Sequence, residues 1–377
     1  MKSKFAKRMV CLAAGLFVLG AAAGCGPKGG DDLNQEEKPG DEPAVTWETQ
    51  TEGTLLSRPE QSDAERKELL TDLNFSKGFR ITLFHSNSSN GNIAGTLDYG
   101  GNAAAGGAVW TMAQWGCTHD MAAEGVLTRQ NGVIAYDDGG KKLSFDVTKT
   151  GCVTLGIKGS EEYTKDGDGN VRERTDSTEN WPHILIEQSV GRDISADAAH
   201  LYMEIVYKVT ACKSLVDREI YPVNPDLNAA QFQWFITLTD TDERSESYRQ
   251  TMWFGFSMFD TRAEGGTPDG FAAYDGGKED STGLFIYMPS LAQVAANAEA
   301  SNSTVTVPTA VVGQERTVKI DILPWIKQGL KTARQQGALT GASVGSLRIG
   351  STNIGWELPG NYDAEVEISY LNMYEEY

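Results

Sequence analysis

The sequence predicts an all-β fold: an antiparallel two-sheet jelly-roll β-sandwich with one packed helix near 324–337. Three observations carry this expectation. About a dozen segments alternate apolar and polar residues with period two and are bounded by Gly, Asn, Asp or Ser. Helical periodicity is scarce, and strands do not alternate with helices as a parallel sheet would require. No Pro/Ser-rich break and no internal repeat divides the chain after the first sixty or so residues, so roughly 300 residues form one domain.

Taken in order, Ser62-Asp63-Ala64-Glu65 has the form of a capping box and predicts a short helix through Leu73. Strands are predicted over 79–84, 132–136, 142–147, 153–157, 184–188, 201–209, 231–238, 252–259, 284–288, 317–322, 346–349 and 364–370. The helix follows from Pro324 in a first-turn position, Gly337 at a stop, and Ile326, Leu330 and Ala333 at helical spacing between them.

The N-terminus is of a different kind. Lys2, Lys4, Lys7 and Arg8 precede an apolar stretch from Met9 to Ala23, which is too short for a good membrane span. A basic start, a short apolar core and small residues at its end read as a cleaved secretion leader. The junction Ala22-Ala23-Gly24-Cys25 resembles the lipobox of bacterial lipoproteins, which implies lipidation of Cys25 and anchoring to the cell envelope. Residues 26–58 are rich in Gly, Pro, Asp and Glu and read as an acidic tether. The expected organisation is therefore a leader over 1–25, a tether over 26–58 and a sandwich over 59–377. An exported, lipid-anchored and surface-exposed protein is the expected localisation.

Four positive charges lie in the leader, so its removal takes the chain from −19 to −23. Such an acidic balance argues against nucleic acid as a partner, because phosphate needs a basic surface. Cys117, Cys152 and Cys212 remain in the sandwich, an odd number that allows at most one disulfide. Their spacing against four scattered His does not suit zinc. No cofactor is expected. Asp166, Asp168 and Asn170 resemble the start of a calcium loop, but Val171 stands where Gly is wanted and Ser177 where Glu is wanted. A hairpin turn explains Asp-Gly pairs equally well.

Alternation sorts each strand into a core list and an outward list. Ile184 and Ile186 belong to the core, leaving Trp181, His183, Leu185 and Glu187 on the other face. By the same reading Gln231, Gln233 and Phe235 oppose Phe232, Trp234 and Ile236, and Trp253 and Ser257 oppose Phe254 and Phe256. Asn353 and Glu357 oppose Ile354, Trp356 and Leu358. The ligand candidates are then Trp181, Trp253, Gln231, Gln233 and Asn353, joined by Gln114, Trp115 and Trp110 from a loop or short helix and by Arg262. Aromatic rings offer faces to the C–H side of a sugar, while amides and carboxylates pair with its hydroxyls.

The run from Asn353 to Gly360, Asn-Ile-Gly-Trp-Glu-Leu-Pro-Gly, resembles the closing element of bacterial jelly-roll, concanavalin A-like domains that handle carbohydrate. The runs Trp181-Pro182-His183 and Trp253-Phe254-Gly255-Phe256 strengthen the likeness. It implies a polysaccharide or oligosaccharide in a concave sheet groove. Hydrolysis on that groove would need two carboxyls about 5–9.5 Å apart, for which Glu187 and Glu357 are the first candidates and Glu204 and Asp260 the reserve. A lyase would use His183 as base and Arg262 to neutralise a uronate. A structural or adhesive envelope protein would instead show a flat face without clustered aromatics.

Overall fold

The computed structural model describes residues 65–377, apart from 85–91, 98–106, 147, 150, 164, 166, 168, 170–173, 175, 177, 217–223, 225–226, 264–265, 267, 277–281, 301 and 306–309. The leader, Cys25, the tether and the calcium candidates Asp166, Asp168 and Asn170 lie outside the described residues.

Two nine-stranded sheets make a jelly-roll β-sandwich. The first runs, in spatial order, β15 (Thr304–Val305), β16 (Glu315–Asp321), β10 (His200–Ser214), β18 (Tyr362–Glu376), β8 (Val153–Lys158), β7 (Lys141–Asp146), β6 (Val133–Asp137) and β5 (Val126–Gln130). β1 (Arg66–Glu68) joins it beside the end of β18. The second runs β13 (Phe271–Tyr274), β14 (Phe285–Met288), β12 (Thr251–Asp260), β11 (Gln231–Asp240), β17 (Leu347–Glu357), β9 (His183–Asp193), β4 (Trp110–Ala113), β2 (Phe79–Thr82) and β3 (Ile93–Leu97). Pairing is antiparallel except at β2–β4 and β12–β14, where a parallel contact makes the second sheet mixed.

Inward-facing residues of both sheets form one core. Phe232, Trp234, Phe254, Phe256 and Trp356 meet Met203, Ile205, Val318, Val366 and Ile368. Each such side chain stabilises the fold by about 1.5–3 kcal/mol relative to exposure. The predicted helix is present as Leu323–Gln335, with Pro324 at its start and Ile326, Leu330 and Ala333 buried. Its Gly329 is needed for space: a Cβ there would stand 2.7 Å from Cδ1 of Tyr287.

Two expectations are corrected. Residues 66–68 form a strand rather than part of a helix, because Arg66, Lys67 and Glu68 pair with Glu376, Glu375 and Tyr374. The Arg66 guanidinium also lies 3.4 Å from the ring centroid of Tyr374. This partner is some 300 residues away in sequence, so local pattern could not reveal it. Trp110 is likewise in a strand and turned into the core, with its indole nitrogen donating to the Asp72 carbonyl at 3.0 Å.

Candidate ligand-binding face

The outer face of the second sheet gathers the outward list. Register aligns His183, Glu357, Gln231 and Asp260 on four successive strands. One side-chain step along stand Leu185, Gly355, Gln233 and Ser257. Next come Glu187, Asn353, Phe235 and Gly255, with Thr237 and Trp253 beyond. Phe235, Trp253, Ile286 and Met288 form an apolar cluster on one flank. Trp115, Ala113 and Leu185 form another on the opposite flank. A polar valley therefore lies between two apolar margins.

Most side chains of this face are buried. Gln231 is 1 % exposed, Gln233 2 % and Trp253 1 %, and the exposure the face retains falls on Trp115, Thr237, Ser257 and Asn353. Among the described residues, four buried polar atoms here have no hydrogen-bond partner: Oε1 of Gln231, Oε1 of Gln233, Nε1 of Trp253 and Oγ of Ser257. Leaving such an atom unpaired costs about 1–3 kcal/mol.

At one end the polar row is tightly organised. Trp181 Nε1 donates to Glu357 Oε2 at 3.3 Å, and His183 Nε2 lies 3.5 Å from the same oxygen. His183 Nδ1 faces the Trp115 carbonyl at 3.2 Å, and a carbonyl can only accept, so this nitrogen carries a proton. The other end of the row is an ion pair: Arg262 donates to both oxygens of Asp260, at 2.6 and 3.0 Å, and Gln231 Nε2 donates to Oδ2 of Asp260 at 3.0 Å.

The Trp115 flank is held by a buried ammonium. Lys141 Nζ sits 2.8 Å from Asp138 Oδ2 and 2.9 Å from Glu162 Oε1, and donates to the His119 carbonyl at 2.7 Å. Glu162 in turn accepts from the backbone N–H groups of Thr118 and His119. Cys117, between this clamp and the face, donates to the His183 carbonyl at 3.2 Å. Burial pushes its thiol up to about 12. Cys117, Cys152 and Cys212 are all free thiols.

The structure separates some candidates by role. Gln114 is 0 % exposed and fully engaged: it donates to Thr82 and Asp120 and accepts from Met121, so it staples the chain after β4. Trp181 is wedged between Arg174, 4.6 Å from its ring centroid, and His183, stacked at 6.0 Å. Glu187 and Glu357 share the face but are not a facing pair. Glu187 stands opposite Asn353, and Glu357 opposite His183, an offset of roughly 13 Å along the strands. Glu357 also accepts from the Trp181 indole. Glu204 lies on the first sheet, bonded to the Tyr374 hydroxyl at 2.8 Å, and so is remote from this face.

Sequence reasoning placed Ser257 and Phe235 outward without adding them to the ligand candidates. It missed Ile286 and Met288, whose strand pairs parallel to β12 and adds a wall to the face. Among the described residues, no group of three or more His, Cys, Asp or Glu side chains could hold a metal ion, and no helix is long and apolar enough to cross a membrane.

No family model matches the chain, and no curated protein does either. Solved structures show loose similarity. The family 11 xylanase from Neocallimastix patriciarum aligns at 10% identity and TM-score 0.31, covering 67% of this chain and 95% of that one. The family 12 xyloglucanase from Bacillus licheniformis aligns at 10% and 0.31, covering 67% and 97%. The xyloglucanase domain of NopAA from Sinorhizobium fredii, solved with cellobiose, aligns at 10% and 0.30, covering 69% and 98%.

Proposed function

We propose that this is an exported, lipid-anchored protein that binds a polysaccharide or oligosaccharide on the outer face of its second sheet. The observation that carries the reading is the set of unpartnered polar atoms on that face: two amide oxygens, one indole N–H and one hydroxyl, all on the paired strands β11 and β12. Amide oxygens want donors, the indole wants an acceptor, and a serine hydroxyl takes either. A ligand dense in hydroxyl groups supplies both kinds at close spacing. The apolar flanks suit the C–H edges of such a ligand. The leader and Cys25 support the anchoring.

The test is a glycan-array screen of the full chain in detergent, repeated with Gln233→Leu and with Cys25→Ser. The expected result is binding to a defined glycan class, lost in Gln233→Leu and retained in Cys25→Ser. Cys25→Ser is also expected to abolish incorporation of labelled palmitate in cells. Silence across the array would overturn the binding reading, and unchanged palmitate labelling would overturn the anchor.

A further inference from the structure

We infer that the row His183–Glu357–Gln231–Asp260 makes this face selective for uncharged sugars, with Glu357 as the residue that excludes a ring carrying a carboxylate or sulfate. The inference rests on the sugar-binding reading above and names the class of sugar. Glu357 is 2 % exposed, and among the described residues no Lys or Arg forms an ion pair with it. Both guanidiniums near the row are committed. Arg262 is turned onto Asp260. Arg174 donates to the carbonyls of Pro359, Leu227 and Glu179 while lying over Trp181. Beside these, Gln231 keeps Oε1 as an acceptor without a partner among the described residues, while its Nε2 donates to Asp260.

The row therefore offers a sugar mainly acceptors, and two of its four members are carboxylates. A hydroxyl can donate to them. A sugar carboxylate has no proton to donate and meets the buried Glu357 carboxylate in a medium that screens it poorly, whereas the Asp260 charge is matched by Arg262. Among the described residues, Arg262, the partly exposed cation beside the row, is already paired with Asp260.

The experiment measures affinities of the full chain for oligosaccharide pairs matched in linkage and differing only at C6: cello-oligosaccharides against their glucuronate counterparts, manno-oligosaccharides against mannuronates, galacto-oligosaccharides against galacturonates. For whichever neutral member binds, the uronate is expected to bind at least about tenfold more weakly. Glu357→Gln should narrow that ratio, and Gln231→Glu, which adds a carboxylate to the row, should widen it. Equal or tighter binding of the uronate overturns the inference. So does an unchanged ratio in both variants. If neither member of any pair binds, the sugar-binding reading itself falls and this inference with it. Binding without discrimination removes the inference alone.

Discussion

Gln233 stands directly opposite Ser257 on adjacent strands, and each holds a buried oxygen with no hydrogen-bond partner among the described residues. Folding alone gives no reason to keep that pair, since the same two positions filled by apolar side chains would avoid the penalty. Gln233→Met is therefore expected to leave stability unchanged or raise it by about 1–3 kcal/mol in urea unfolding. Glycan binding by the same variant should be lost. A variant that binds normally would remove Gln233 from the ligand face.

Lys141 offers the opposite case. Its ammonium is buried between Asp138 and Glu162, so Lys141→Met leaves two carboxylates in a closed site without their cation. The expected loss is about 3–5 kcal/mol by denaturant unfolding. Because Glu162 also holds the Thr118 and His119 amides, amide exchange in the segment after Trp115 should accelerate in the same variant.

The buried thiols make stability depend on alkaline pH. Burial pushes Cys117 and Cys152 each to about 12, above the ordinary thiol value of about 8.5. The folded state thus keeps protons that the unfolded chain releases. This contribution to stability is complete below the unfolded value and declines as pH rises from there toward 12. Unfolding free energy should fall across that window, and Cys117→Ala should flatten the fall. At pH 8 neither thiol should react with a water-soluble disulfide reagent until urea opens the fold.

On the first sheet, burial holds the Glu204 carboxyl above the usual carboxylate range, although Tyr374, Lys319 and Arg66 each act to lower it. The folded state favours its protonated form, so its contribution is present at acid pH and is lost as pH rises through the folded value. Glu204→Gln keeps an acceptor for the Tyr374 hydroxyl without the charge. Its melting temperature should exceed that of the parent at pH 7, with the gain shrinking toward pH 4.

Face assignment was legible in the sequence, because one side of each central strand packs against the other sheet and must be apolar. Trp234 and Trp356 fell inward, and Gln233 and Glu357 outward, on alternation alone. Register was not legible. Alternation says which side chains share a face but not which stand opposite one another, so the offset between Glu187 and Glu357 appears only with the pairing of β9 and β17. Strand limits suffered where the ladder is irregular: the register shift between Ile349 and Ser351 divides β17 into two runs that read as separate elements. The helix expected after Ser62 failed for another reason: residues 66–68 take their conformation from β18, a long-range partner.

The pairing of β1 with the last strand gives the molecule two poles. The backbone N–H of Tyr377 donates to the Glu65 carbonyl at 3.0 Å, so the described chain starts and finishes at one corner. The Ala199 amide, just before β10, donates to Glu376, and Ile194, just past β9, donates to Leu347, which puts the Asp193 end of β9 at this same pole. His183, at the other end of that strand, lies roughly 33 Å away. The row from His183 to Asp260 therefore lies at the pole opposite the first and last described residues, so a group attached at either of those ends stands a full strand length from it.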